Sequence, residues 1–218
     1  MTPASTAFNS LAADYSRLWT ATARGQRQRE QVWRVIDPLF RRCDSVLDLG
    51  CGIGDDALHL SKQGIDVHAI DASEKMIEIA QARGVNARLL RIEELDQLRG
   101  TFSGAISDFG ALNCIESLQP IADELSRLVR FGGVLALCVM GRFAPLETLH
   151  FLARLDLSNA RRRWNGVGTW RGTQIYYHSS ADMRKAFANG FSFQRRVATG
   201  GGDHQLYIFR RMRSGGKP

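Results

Sequence analysis

No stretch of the 218-residue sequence approaches the roughly 18 to 20 consecutive apolar positions that a membrane-spanning helix needs. The N-terminal MTPASTAFNSLAADYSRLW lacks both the basic start and the apolar core of a secretory signal. From these two absences we expect no membrane span and a protein that stays in the cytoplasm. Cysteine is scarce. Cys43, Cys51, Cys114 and Cys138 form no C-x-x-C pair, and Cys51 and Cys138 lie in or beside apolar runs, so buried free thiols are expected rather than metal ligands or disulfides. Acidic residues are the minority charge, 22 against 29 Lys and Arg, for a formal net charge of +7. The basic excess is spread over Arg24 to Arg29, Arg41-Arg42, Arg161 to Arg163, Arg195-Arg196 and Arg210-Arg211-Met212-Arg213. It therefore reads as a solvated surface, with an acidic partner as the competing reading.

What is present suffices for one domain with a full core: 44% hydrophobic and 23% charged residues over a length too short for two independent domains. Residues 1–42 are polar and helix-compatible, with Leu11, Tyr15, Leu18 and Trp19, then Val32, Val35, Ile36 and Leu39, at helical spacing. They are expected to form a helical cover. From Ser45 onward short apolar runs alternate with amphipathic stretches. Strands are expected at Ser45 to Leu49, Asp66 to Ile70, Ala87 to Leu90, Phe102 to Ser107 and Val134 to Met140, the last a continuous VLALCVM buried on both faces. Between them, Ser73 can cap a helix carrying Met76, Ile77 and Ala80, and Ile121, Leu125 and Leu128 mark another. This rhythm implies an α/β fold with a parallel sheet between helices and ligands beyond the carboxyl ends of the strands. Residues 141–178, rich in Arg, Trp and Gly, read as an insertion. A helix near Ala181 to Ala188 and strands at Phe191 to Val197 and His204 to Phe209 follow, placing one antiparallel strand at or inside the sheet edge, before a basic tail at 211–218.

The stretch Val46 to Asp56, VLDLGCGIGDD, ends a strand in Gly50-x-Gly52-x-Gly54, one residue tighter than the dinucleotide fingerprint G-x-G-x-x-G. Glycines let a ligand approach bare backbone. The two carboxylates that follow, Asp55 and Asp56, fall in the first turn of a helix, where they would repel a pyrophosphate. A ligand with a cationic end and no phosphate fits better, and S-adenosylmethionine has that shape. Asp71, at the end of the second strand, is placed to accept from both ribose hydroxyls; its competing reading is a cap for the helix at Ser73.

VLDLGCGIG, VHAIDAS, FSGAISDFGALNCIE and LSRLVRFGGVLALCVM, in this order, resemble the successive motifs of the class I S-adenosylmethionine-dependent methyltransferases. AFNSLAADYSRLW is similar to the lead-in of the small-molecule branch that includes ubiquinone and menaquinone methyltransferases. The resemblance implies a Rossmann-like, seven-stranded, mostly parallel sheet with helices on both faces and one antiparallel strand. It divides the chain into a cover (1–42), a cofactor-binding core (43–140), a lid insertion (141–178) and a closing helix and strand pair (179–210). It further implies that Asp48, Gly50, Cys51, Gly52 and Gly54 surround the methionine part of the cofactor and Asp71 the ribose, with Ala72 and Met76 at the adenine. Where the family carries an Asp for the adenine amino group this chain has Arg91, so the contact falls to Ile92 and Glu93. Asp108 and Phe109, with Asn113 just beyond, stand where the sulfonium edge and the acceptor meet.

Methyl transfer from a sulfonium is an in-line displacement that needs no metal; positioning and exclusion of water supply much of the acceleration. The product is S-adenosylhomocysteine. If the acceptor is a hydroxyl it needs a proton taker, and His178, His150 and Tyr15 are candidates because their segments cover the pocket, with Asn113 the further catalytic candidate. The competing reading of His178 is a packed or helix-capping side chain. Aromatics in the lid, Tyr15, Trp19, Phe143, Phe151, Trp164, Trp170, Tyr176 and Tyr177, suit an apolar or flat small acceptor. Two other readings stand beside this one. Ala160-Arg161-Arg162-Arg163-Trp164 and Trp170-Arg171-Gly172 interleave guanidinium groups with indoles, a combination that grips RNA, although SDFGALN lacks the Pro-Pro-aromatic signature of base-nitrogen methylation. The other is a catalytically inactive cofactor-binding partner subunit.

Overall fold

Residues 3–142, 154, 163–200 and 204–213 are described by the computed structural model. The cover is not one helix. α1 runs Pro3–Tyr15, a π-helical turn occupies Ser16–Thr20, and α2 runs Ala23–Ile36, started by the Thr22 side chain accepting from the Gly25 N–H. The break leaves Leu18 and Trp19 exposed at 38% and 50%, so the helical stripe read through them does not continue into the core.

β1 (Ser45–Leu49) leads through the glycine turn into α3 (Asp55–Lys62), β2 (Asp66–Asp71) into α4 (Glu74–Ala82), and β3 (Ala87–Leu89) into a 3₁₀ turn at Ile92–Gln97. β4 (Phe102–Ser107) is followed by a 3₁₀ turn at Ala111–Cys114 and by α5 (Gln119–Leu128), whose Ile121, Leu125 and Leu128 are buried as their spacing predicts. Ser73 caps α4, accepting from the Met76 N–H. β5 covers Val129–Met140, and its Val134 to Val139 are all buried, as befits a central strand.

Beyond it the insertion holds a hairpin, β6 (Val167–Trp170) and β7 (Thr173–Tyr176), that the sequence reading left without strands. Its turn is Arg171-Gly172, both with positive φ (48° and 78°), the twist that suits a two-residue hairpin. α6 (Ser180–Phe187), β8 (Phe191–Thr199) and β9 (His204–Arg211) close the described chain.

The main sheet has the order β3-β2-β1-β4-β5-β9-β8. β1 to β5 pair in parallel, and β9 is antiparallel to both β5 and β8. The expected seven strands with one antiparallel member are therefore observed, and that member lies inside the edge. Two apolar layers flank the sheet. Leu47, Ile70, Leu135, Tyr207 and Phe209 face α5 and α6, whereas Val46, Val67, Ile106, Ala136 and Ile208 face α2 and α3. The order reverses between β1 and β4, and it is at that point that the carboxyl ends of strands leave a crevice for a ligand. α1 and β7 pack over it, joined by Phe8 and Trp170 with ring centroids 5.6 Å apart. Among the described residues no helix is long and apolar enough to cross a membrane. All four cysteines are free, but Cys43 is exposed and Cys114 half-buried, contrary to the expectation of buried thiols throughout.

Candidate active site

A cavity of about 480 Å³ opens at the carboxyl ends of β1, β2 and β4, floored by the glycine turn and roofed by α1 and β7. The turn is tied to β2 by Gly50 and Cys51 N–H groups donating to the Ile70 carbonyl at 2.8 and 2.9 Å. Asp71 completes the tie: one carboxylate oxygen accepts from the Gly52 N–H at 2.9 Å and the other from the Ser73 N–H at 2.8 Å. The glycines do different work. A Cβ on Gly54 would meet Val85 at 2.7 Å, so that residue serves packing between α3 and the chain after α4. A Cβ on Gly52, at φ +53°, would meet nothing within 4 Å, because the residue borders the cavity. This is a cradle left open for a ligand.

Asp55 and Asp56 do not border that cradle, so, contrary to the expectation from their place in the sequence, they are not the groups that would repel a phosphate from it. Asp55 accepts from Arg83 at 2.7 Å and from the Thr20 hydroxyl at 2.9 Å. Asp56 accepts from Arg29 at 2.5 Å and from the Trp33 indole N–H at 2.7 Å. Both are buried and neither lines the cavity, so their charge is matched inside the protein. The acids that border the cavity are Asp71, Glu93 and Asp108. Asp108 and Asp48 are both buried, the Asp108 carboxyl against the Cys138 thiol and the Phe109 N–H, and Oδ2 of Asp48 without a hydrogen-bond partner. Burial first, then the neighbouring Asp56 carboxylate, pushes both carboxyls well above the usual range. Burial thus favours the neutral acid at both positions.

Of the residues the sequence assigned to the cofactor, Gly50, Gly52, Asp71, Ala72, Met76, Ile92, Glu93, Asp108 and Phe109 all border the cavity. Asp48, Cys51 and Gly54 do not. The Cys51 thiol lies in the apolar layer under α3, where burial raises its pKa and keeps it protonated. Arg91 pairs with Glu93 at 2.8 Å, and both line the cavity where the family Asp was missing.

The catalytic candidates fare differently. His178 stands behind the wall. Its Nε2 lies 3.2 and 3.1 Å from the carbonyls of Leu112 and Ile115, so it carries the proton and donates it to backbone, and burial holds the ring neutral by lowering its pKa. That is the packed-histidine reading, with Nε2 unable to act as a base. Asn113 is equally committed: its amide donates to the carbonyls of Met140 and Tyr176 at 3.0 and 2.6 Å and accepts from the Met140 N–H at 2.8 Å. It staples β7 to the end of β5 and does not reach the cavity. Tyr15 does line it, but burial pushes its phenol up to about 12, so at neutral pH it offers a donor O–H rather than a base.

Tyr176 forms part of the wall beside Gln174, its hydroxyl donating to that amide at 2.8 Å. Tyr177 is buried beneath the Arg163 guanidinium, 5.2 Å from its ring centroid, and Trp164 is 60% exposed. Phe143, His150, Phe151, Arg161 and Arg162 lie outside the described residues.

Sequence reasoning missed Phe8 and Thr173 on the wall, the left-handed Phe109 (φ 50°), and Arg29, whose guanidinium sits 4.6 Å above the Phe109 ring. A signal for Arg29 existed: it shares a helical face with Val32 and Ile36, both buried.

A family model described as a methyltransferase domain matches residues 46–133. The ubiquinone biosynthesis O-methyltransferase of Xanthomonas oryzae pv. oryzae is 28% identical over 106 residues, 44% of this chain and 43% of that one. The magnesium-protoporphyrin O-methyltransferase of Synechocystis sp. is 27% identical over 165 residues, 71% of this chain and 65% of that one. The match thus spans less than half the length of the first of these relatives. Among solved structures, the 1,6-didemethyltoxoflavin-N1-methyltransferase of Burkholderia thailandensis superposes with a TM-score of 0.66 at 18% identity, covering 97% of this chain and 88% of that one. The matched segment contains the glycine turn, the Asp71 strand end and the Asp108 turn on a sheet of this strand order, and residues 46–133 of this chain are accordingly similar to a methyltransferase domain.

Proposed function

We propose that this chain is a single-domain cytoplasmic enzyme that moves the methyl group of S-adenosylmethionine to a small organic acceptor by direct in-line displacement. The observation that carries the reading is the open space at Gly52 beside the Asp71 carboxylate, at the cavity where the carboxyl ends of β1, β2 and β4 meet. When bound there, the cofactor supplies a methyl group on a cationic sulfur, ready for attack without further activation.

Everything else is the work of the chain. Asp71 keeps unshared lone pairs after its two backbone bonds and accepts from the ribose hydroxyls. Ala72, Met76 and Ile92 give the adenine an apolar slot. The Asp108 turn borders the cavity at the cationic end, and the one basic side chain on the described lining, Arg91, is paired with Glu93, so the match is to positive charge rather than to phosphate. Phe8, Tyr15, Phe109 and Tyr176 close the cavity against water, and the Tyr15 hydroxyl remains a donor toward the reacting centre. The acceptor enters between α1 and β7, against a mostly uncharged wall of Phe8, Cys114, Ile115, Thr173, Gln174 and Tyr176, which suits a flat organic molecule. Part of the Arg- and Trp-rich stretch is turned inward: Arg163 is buried and donates to the Gly141 carbonyl, and Trp170 packs on Phe8.

The test is incubation of the full chain with methyl-labelled S-adenosylmethionine and either the low-molecular-weight fraction of a cell extract or total RNA. We expect label and S-adenosylhomocysteine to appear with the small-molecule fraction. Label entering RNA alone would replace this acceptor class with the other.

A further inference from the structure

Arg29 lies on α2, outside the segment that matches the family model, yet it contacts the first turn of α3 and the Phe109 ring at the cavity wall. Its side chain is 11% exposed. One guanidinium nitrogen pairs with Asp56 at 2.5 Å and another lies 3.6 Å from Asp55, so it joins α2 to the first turn of α3. Its carbon stands 4.6 Å above the Phe109 ring, on the far side of the turn that carries Asp108. Phe109 holds a left-handed φ of 50°, a conformation that a bulky residue keeps only when its surroundings impose it. A cation over its ring and the His204 ring against its edge, centroids 6.1 Å apart, are such surroundings.

Resting on the cofactor reading above, we propose that Arg29 is a positioning residue for the cofactor. It holds the Phe109 turn and the α3 turn as one unit, and it places a fixed positive charge over the Phe109 ring, next along the chain to Asp108.

The charged and titratable groups around Asp108 are Asp48 from β1, Asp55 and Asp56 from α3, Arg29 from α2 and the Cys138 thiol from β5, with Asp71 and Tyr15 on the adjoining walls. Arg29 opposes the rise that burial and Asp56 impose on Asp108. A protonated Asp108 offers no attraction to a sulfonium. Preference for S-adenosylmethionine over its uncharged-sulfur product is therefore present above the raised midpoint of Asp108 and lost as pH falls through it.

The experiment is calorimetric titration of the full chain with S-adenosylmethionine and S-adenosylhomocysteine from pH 5.5 to 9, in the wild type, Arg29→Lys, Arg29→Met and Arg29→Met/Asp56→Asn. We expect the ratio of the two affinities to fall on acidification in the wild type and Arg29→Lys to keep nearly the same midpoint. Arg29→Met should raise the midpoint, as loss of a neighbouring positive charge does. The double variant, which removes one charge of each sign, should return it toward the wild-type value. A folded Arg29→Met that weakens both ligands in parallel with an unmoved midpoint would overturn the proposal and leave Arg29 a purely structural residue. Should Arg29→Met not fold, Asp56→Asn alone decides: the midpoint moves down, or the charge account is wrong. A wild type that binds neither ligand would instead sink the cofactor reading itself.

Discussion

Replacing Gly52 with valine is expected to weaken S-adenosylmethionine binding by more than about 100-fold while the sheet stays folded, the order of loss that follows when a ligand must give up several kcal/mol of contacts. The reasoning separates this glycine from its neighbours. A Cβ on Gly50 would lie 2.2 Å from the Ala111 Cβ, and one on Gly54 would lie 2.7 Å from Val85, so bulk at either position damages the fold itself. At Gly52 nothing stands within 4 Å, and the added atoms enter the cavity. Strain from the positive φ costs roughly 1–2 kcal/mol, a shift of a few degrees in melting temperature for a domain of this size. Calorimetric titration beside a thermal melt checks both parts. A folded Gly52→Val protein with wild-type affinity would show that the turn is not the floor of the cofactor site.

The second large effect belongs to Asp71. Asp71→Ala removes the acceptor for the ribose hydroxyls, and hydrogen bonds to a charged group are worth about 1.5–3 kcal/mol each, so the expected loss in cofactor affinity is again on the order of 100-fold. It also strips the acceptors from the Gly52 and Ser73 N–H groups, so some stability goes with it. Asp71→Asn separates the contributions. Its single carbonyl oxygen can serve one of the two N–H groups, which should recover part of the melting temperature without recovering the affinity. If Asp71→Asn binds the cofactor as the wild type does, the ribose assignment fails.

The fold was legible because its signals are local and repeat: an apolar strand, a glycine turn, then a capped amphipathic helix, twice over between Ser45 and Ala82. The floor of the cavity was legible for the same reason, since Gly50, Gly52 and Asp71 stand at the ends of adjacent strands and border it. What failed was the attribution of charge. Asp55 and Asp56 stand in sequence beside the glycines, but the partners that neutralise them, Arg29 and Arg83, arrive from α2 and from the end of α4. Proximity along the chain made two internally paired acids look like ligand-facing ones. Asp108, whose turn borders the cavity, carried no such local emphasis. His178 and Asn113 were misjudged by the same mechanism. Both are polar residues in segments near the pocket, and in each case backbone carbonyls of a neighbouring turn or strand absorb the side chain. The β6–β7 hairpin went unread because its strands are only four residues long, although Arg171-Gly172 between alternating residues was a usable turn signal.

The most direct test of the central claim is a pair of calorimetric titrations of the full chain at neutral pH, one with S-adenosylmethionine and one with NADH. The open glycine turn beside Asp71 should take up the sulfonium nucleoside with a saturable heat and show none with the dinucleotide. Saturable binding of NADH, with S-adenosylmethionine ignored, would contradict the account.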